Sequence, residues 1–286
     1  MYCFYQEVEL KVEDIVDILQ EAVLEGNKAL QEARSGLMYR HKTYKELVTN
    51  CDIASENAIA GFLSGKFQNA KIFSEEVGEI VGDEEIVFII DPLDGTHNFI
   101  HNIPFYAISI GVYSKGVPFV GIIYLPEFKD CLYAVKNEGA YLNGQIIHCS
   151  DAERLEESLI AYDNQFHKHE SMLKNLSPLS ENCFTVRIFG SACVDLCGVA
   201  RGWMEARVFH NTKLVDFAAG QVILEEAGGK VTDFHGQPLT VQTTDVLASY
   251  GRIHSQLVEL LETESRVDVN LPTYPHEDIR EWSNQL

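Results

Sequence analysis

The sequence predicts a layered α and β protein in two halves, α+β over residues 1–150 and α/β over residues 151–286. Three observations carry that expectation. Apolar residues recur at helical spacing from Val12 to Ala33 and from Ile53 to Leu63, and a run of strand-like segments follows. After "SDAERLEES" the pattern alternates, and strand-like segments lead into helical ones. No apolar stretch reaches the ~18 residues that a membrane helix needs, so none is expected.

The first helix gathers Ile15, Ile18, Leu19, Ala22, Val23, Ala29, Leu30 and Ala33 on one face. A basic, irregular stretch, "RSGLMYRHKTYKE", follows, and "LVTNCD" leads into the second helix. "AKIFSEE" reads as a strand ending in acid, and "EEIVFIID" as a fully buried strand. "AISIGVYSKGVPFVGIIYLP" reads as two strands joined at Lys115-Gly116. "DCLYAVKNEGAYLNGQII" reads as a hairpin-like pair, with turns at Asn137 to Gly139 and at Asn143-Gly144. "LIAYD" and "TVRIFG" read as strands, each followed by a helix, the second running from Ala192 to Ala200 and stopping at Gly202. "MEARVF" is a strand, and "DFAAGQVILEEAGG" a helix that Asp216 opens and Gly228-Gly229 ends. "KVTDF" and "VLASY" are short strands, and a last helix spans Ile253 to Leu261. The acidic tail from Glu262 is expected to be loosely held.

A hydrophobic content of 46% with 23% charged residues fits a soluble globular chain rather than a disordered one. The net charge of −21 argues against a broad nucleic-acid surface. It leaves room for a small phosphorylated ligand, because a metal cluster can reverse the local field. Seven cysteines include no CxxC pair, and Cys193 and Cys197 read as buried helix residues rather than metal ligands. The first residues show no signal-peptide pattern, and a reducing cytoplasm is the expected setting.

The chemistry concentrates in "IIDPLDGTHNF", which begins at Ile89. Carboxylates at the end of a buried strand are costly unless a cation satisfies them. Pro92 removes an N–H, so the central strand is expected to end at Asp91, and Gly95 permits a sharp reversal that turns Asp91 and Asp94 toward one point. Glu75-Glu76, Asp52 and Asp216 also stand at the ends of strand-like runs. Converging carboxylates suit a hard cation such as Mg²⁺, which takes oxygen ligands at about 2.0–2.1 Å, better than zinc. The D-x-D-G-T loop of aspartyl-nucleophile phosphatases is excluded, because two residues separate the acids here. An EF-hand frame is absent.

With "DPLDGTHNF", "VDFAAGQVILEEAGG", "LVTNCD", "SEE", "GAYLNG" and "RIFGSA" in order, the chain resembles the inositol monophosphatase family of Mg²⁺-dependent, lithium-sensitive phosphatases over about residues 10 to 250. The resemblance implies an αβαβα sandwich of the sugar-phosphatase type, with the site between the halves, and a homodimer. It implies that Glu75, Asp91, Asp94, Asp216 and the Leu93 carbonyl bind two or three Mg²⁺. Asp52 and Thr96 would orient the attacking water, and the Gly95 and Thr96 N–H groups would cradle phosphate. Gly190, Ser191 and Ala192 would form a second wall near the leaving group. Lys42 resembles a family lysine near the metals, one residue out of register. Glu76 is expected to point away, and His97 and Asn98 to be structural.

Two departures bear on substrate. Val215 stands where the family usually has Trp. Phe209 stands where members acting on inositol phosphate carry a Glu for ring hydroxyls, which weakens the case for inositol selectivity. Lys213 would add a cation at the substrate mouth, and His210 is a further contact candidate. The expected activity is hydrolysis of a small phosphate monoester, inositol monophosphate or a related polyol or sugar phosphate. The alternatives are fructose-1,6-bisphosphate, NADP, a 3′-phosphoadenosine nucleotide, histidinol phosphate, or a regulatory role without turnover.

Overall fold

The computed structural model describes residues 2–5, 8–43, 45–67, 70–76, 78–80, 83–167, 171–240 and 242–264. Most of the expected acidic tail, from residue 265 onward, lies outside the described residues.

In chain order, β1 (Tyr2–Tyr5) pairs with β2 (Val8–Lys11), and α1 (Val12–Arg34) follows. The stretch expected to be irregular contains β3 (Tyr39–His41), paired with β4 (Leu47–Thr49). Then α2 (Asn50–Lys66) starts three residues before the apolar periodicity does. Thr49 is the reason: its hydroxyl caps the N–H groups of Cys51 and Asp52, and Asp52 returns a carboxylate to the Thr49 N–H. Next come β5 (Ala70–Ser74), β6 (Gly78–Ile80), β7 (Asp83–Asp94) and the short α3 (Thr96–Ile100). Five strands follow: β8 (Ala107–Ser114), β9 (Val117–Leu125), β10 (Asp130–Val135), β11 (Gly139–Leu142) and β12 (Gln145–Ile147). The remainder alternates as β13 (Leu159–Ala161), α4 (Ser171–Asn182), β14 (Thr185–Arg187), α5 (Ala192–Ala200), β15 (Ala206–Phe209) and α6 (Leu214–Glu226). It ends with β16 (Gly229–Asp233), β17 (Val246–Tyr250) and α7 (Gly251–Glu264).

These elements stack as five layers, α/β/α/β/α. An eight-stranded sheet, ordered β12-β11-β10-β9-β8-β7-β5-β6, is antiparallel except where β5 runs parallel to β7. Strand alternation sends Phe88, Ile90, Ile108, Ile110 and Ile122 to one face, where Ile15, Leu19, Val23 and Leu30 of α1 and Ile59 and Leu63 of α2 cover them. Each such side chain contributes about 1.5–3 kcal/mol by leaving water. The opposite face, with Ala107, Ile123, Leu132 and Ala134, packs on α5 and α6. Those two helices also touch the inner face of a five-stranded sheet, ordered β14-β13-β15-β17-β16, through Ala161, Phe209, Val246 and Ala248. Its outer residues, Ile160, Val208 and Leu247, are covered by Met172 and Leu179 of α4 and Ile253 and Leu257 of α7. Cys193 and Cys197 are buried core thiols, as expected.

Two local features set the site. The β7–β8 ladder runs from Ile86 to Asp91, skips Pro92 and Leu93, and resumes with Asp94 opposite Ala107. The strand therefore does not stop at Asp91; it bulges, because Pro92 has no N–H for the ladder, and the bulge re-aims both acids. The second feature is the seat of α6 on β9. A Cβ on Gly121 would lie 2.1 Å from the Ala219 carbonyl oxygen, so only glycine lets the helix approach this closely. Gly121→Ala is expected to cost about 3 kcal/mol, read as a lowered urea midpoint at unchanged slope. It should also weaken activity, because the first turn of α6 carries Asp216.

Candidate active site

Three strand ends and three helix N-termini meet at one cavity of about 340 Å³ lined by Glu75, Asp91, Leu93, Asp94, Gly95, Thr96, Gly190, Asp216 and Lys42. Asp91 is 1% exposed, and its Oδ1 accepts the Leu93 N–H at 3.1 Å, an acid closing its own turn. Burial first, then the Glu75, Asp94 and Asp216 carboxylates, hold Asp91 well above the usual carboxylate range. Asp91 thus feels all three other acids at once.

Asp94 sits at the mouth of α5. Its carboxylate accepts the Ala192 N–H at 3.1 Å, the Cys193 N–H at 2.8 Å and the Ser191 hydroxyl, while Ser191 caps the Val194 N–H. Burial raises Asp94, and these donors oppose the rise. Gly190, Ser191 and Ala192 therefore meet the acidic loop directly. Asp216 is the third residue of α6 rather than its opening residue. Its Oδ2 accepts the Thr212 hydroxyl at 2.7 Å and the Lys213 N–H at 2.8 Å, and burial pushes it up to about 6.

Asp52, 1% exposed, lies behind this group. Its Oδ1 is 3.1 Å from the Thr96 hydroxyl, which is also 3.1 Å from the Leu93 carbonyl, so one proton serves two acceptors. Burial raises Asp52 while the hydrogen bonds from Thr49 hold it down. Gly95 takes φ +84°, and a Cβ there would meet the Phe105 carbonyl oxygen at 2.8 Å, so the reversal needs glycine. Asn98 is structural, as expected: its amide donates to the Phe105 and Phe189 carbonyls at 2.7 Å each, tying the acidic loop to the Gly190 segment.

Glu75 is 3.5 Å from Lys42 Nζ and 3.4 Å from Lys213 Nζ. Glu76 departs from expectation. It does not point away; it pairs with Lys42, and burial pushes it up to about 7 even so. Lys213 lines an adjoining groove of about 1060 Å³ with Phe73, Ile89 and Tyr113. Val215, at the position where the resemblance leads one to expect Trp, is buried with Ile89, Tyr113 and Ala218. His210 is not at the mouth. It is 1% exposed, bonded to the Tyr162 hydroxyl at 2.7 Å and set against Phe234. Period-two alternation sends it to the outer face of the second sheet with Val208, while Phe209 faces inward.

Asp163, Asn164, Gln165 and Arg207, which no sequence motif marks, line a smaller cavity of about 100 Å³ against Asp94 and Asp216. The available signal was an arginine inside the apolar run "ARVF" and an acid just after the strand "LIA". Among the described residues, no three His, Cys, Asp or Glu side chains form a ready-made metal cluster. The carboxylates are met by lysines and N–H groups instead. The donor set is nevertheless all oxygen and crowded with negative charge, which fits a hard divalent cation.

The chain is similar to known proteins in sequence and in fold. The sequence profile of the inositol monophosphatase family matches residues 7–266. An inositol monophosphatase from Mesembryanthemum crystallinum is 33% identical over 257 residues, covering 85% of this chain and 95% of that protein. The Nus factor SuhB of Pasteurella multocida is 32% identical over 235 residues, covering 81% of this chain and 88% of that protein. The crystal structure of the extragenic suppressor protein suhB from Bartonella henselae superposes with a TM-score of 0.83 at 31% identity, covering 87% of this chain and 98% of that one.

Proposed function

Because the chain belongs to the inositol monophosphatase family, we propose that it is a Mg²⁺-dependent phosphatase acting on a small phosphate monoester, inositol monophosphate or a related polyol or sugar phosphate. The observation that carries this reading is the cavity where Asp91 feels Glu75, Asp94 and Asp216 together, beside the Asp52–Thr96 pair. Glu75, Asp91, Asp94, Asp216 and the Leu93 carbonyl would hold two or three Mg²⁺, which when bound offset the phosphate dianion's charge and acidify a water. Asp52 and Thr96 orient the water that attacks phosphorus, and its proton passes through the Thr96 hydroxyl to Asp52. The N–H groups of Gly95 and Thr96 donate to the phosphate oxygens, and the bond to the leaving alcohol breaks in line with the attack. Lys42 tempers the repulsion between Glu75 and Glu76.

The test is phosphate release from inositol-1-phosphate, fructose-1,6-bisphosphate, NADP and phosphoadenosine phosphate, with Mg²⁺ and with chelator. Release is expected from at least the first, only with Mg²⁺, and suppressed by lithium at millimolar order. The similarity to Nus factor SuhB supports a second reading, a regulatory protein without turnover. No release from any of the four esters would favour that reading.

A further inference from the structure

The cavity of about 100 Å³ beside the carboxylates contains polar groups that the reaction above leaves unused. Arg207, on β15, is 4% exposed. Its Nε is 3.1 Å from Asp195 Oδ2, and Nη2 is 3.9 Å from Asp163 Oδ2. The guanidinium carbon stands 4.5 Å from the centre of the Phe209 ring. Strand alternation places both residues on one face, so the ring is a platform for the guanidinium. Nη1 of Arg207 and Oε1 of Gln165 are buried without a hydrogen-bond partner. Both residues line the cavity, and Asp94, Asn164, Gln165, Gly190 and Asp216 line this cavity and the larger one alike.

Unsatisfied buried donors and acceptors are costly, and a ligand that satisfies both kinds gains from them. A second phosphate or carboxylate would find one guanidinium among Asp94, Asp163, Asp195 and Asp216, and the carboxylates would repel it. A hydroxyl group both donates and accepts, and it carries no charge. It can accept a hydrogen bond from Arg207 Nη1 and donate one to Gln165 Oε1 or to the Asp163 carboxylate. Phe209 cannot bond a polyol, but the arginine lying on it can.

We propose that Arg207 is the specificity-determining residue of this pocket, and that the cavity it lines receives the hydroxyl groups of a neutral polyol leaving group. The proposal rests on the phosphatase reading above. It separates the roles of two cations: Lys213, exposed and paired with Glu75, stands outside the socket, whereas Arg207 forms its floor.

Arg207→Lys keeps a positive charge against Asp195 and removes the planar fork. The full-length chain with Mg²⁺ is assayed on inositol-1-phosphate and on p-nitrophenyl phosphate, whose leaving group has no further hydroxyl. The ratio of kcat/KM for the polyol ester to that for the aryl ester is expected to fall about 10- to 100-fold in the variant. Phe209→Leu, which leaves the Arg207–Asp195 pair intact, is expected to lower the same ratio at least about threefold by removing the platform. Unchanged ratios in both variants overturn the proposal, as does an equal loss on both esters, which is what a merely structural arginine would give. Binding of free inositol, followed by ligand-observed NMR, gives a readout that needs no turnover. Binding by the wild type that Arg207→Lys abolishes supports the socket; no binding by the wild type, or equal binding by both, overturns it. Absence of phosphate release from every ester overturns the phosphatase reading instead, and the inositol binding then still decides on Arg207.

Discussion

Asp91→Asn is expected to lower kcat/KM by about 10³-fold or more and, in the same protein without metal, to raise the melting temperature. The two effects have one cause. Asp91 is 1% exposed, and three carboxylates raise its affinity for a proton beyond what burial alone does. Asparagine keeps the shape and keeps an oxygen to accept the Leu93 N–H, but it removes the charge that Glu75, Asp94 and Asp216 oppose. Relief of about 1–2 kcal/mol would appear as a rise of roughly 2–8 °C. Mg²⁺ should stabilise the variant less than the wild type, because one anionic ligand is gone. Asp94→Asn should behave differently. That carboxylate also caps α5 through the Ala192 and Cys193 N–H groups, so its loss weakens the fold as well as the activity. Calorimetry of the Asp91 variant in chelator decides the matter: a lower melting temperature than wild type would mean that Asp91 supports the metal-free fold and is not repelled within it.

What could be read from the sequence follows from how local each signal is. The turns at Lys115-Gly116 and Asn143-Gly144 are as expected, because both pairs take positive φ and need no tertiary context. The acidic loop was legible because charge, proline and glycine fall within six residues. The start of α2 was misjudged because its cap, Thr49, precedes the apolar periodicity. His210 could have been placed by strand alternation from Phe209 and Val208, whereas the partnership of Arg207 with Asp195 could not. Those two residues lie on different elements, β15 and α5, and only the packing of α5 beneath the second sheet brings them within 3.1 Å. Glu76 was misread for the same reason: its ammonium partner, Lys42, lies far back in the chain, just after the β3 strand that the sequence did not announce.

The stability of the metal-free chain is expected to fall as pH rises between about 4 and 7, and Mg²⁺ is expected to lessen that fall by the share that its own ligands contribute. The sign follows from the proton balance. Burial pushes Asp216 up to about 6 and Asp195 up to about 7, and Asp91 stands well above its ordinary range. Unfolded, each returns to about 3.9. Between those values the folded state holds more protons than the unfolded state, so deprotonation favours unfolding. The fully buried Asp195 keeps the Arg207 guanidinium beside it, which limits its rise, whereas Asp91 has the Glu75, Asp94 and Asp216 carboxylates adding to the effect of burial. A bound divalent cation prefers the ionised acids, so its contribution grows as they lose their protons. At 100-fold excess over its dissociation constant it adds about 2.7 kcal/mol at neutral pH, and less at pH 5, where protons compete for the same oxygens. Melting temperatures measured across this window with chelator and with saturating Mg²⁺ should therefore diverge as pH rises. Parallel curves would mean that the carboxylates around Asp91 do not bind the ion together.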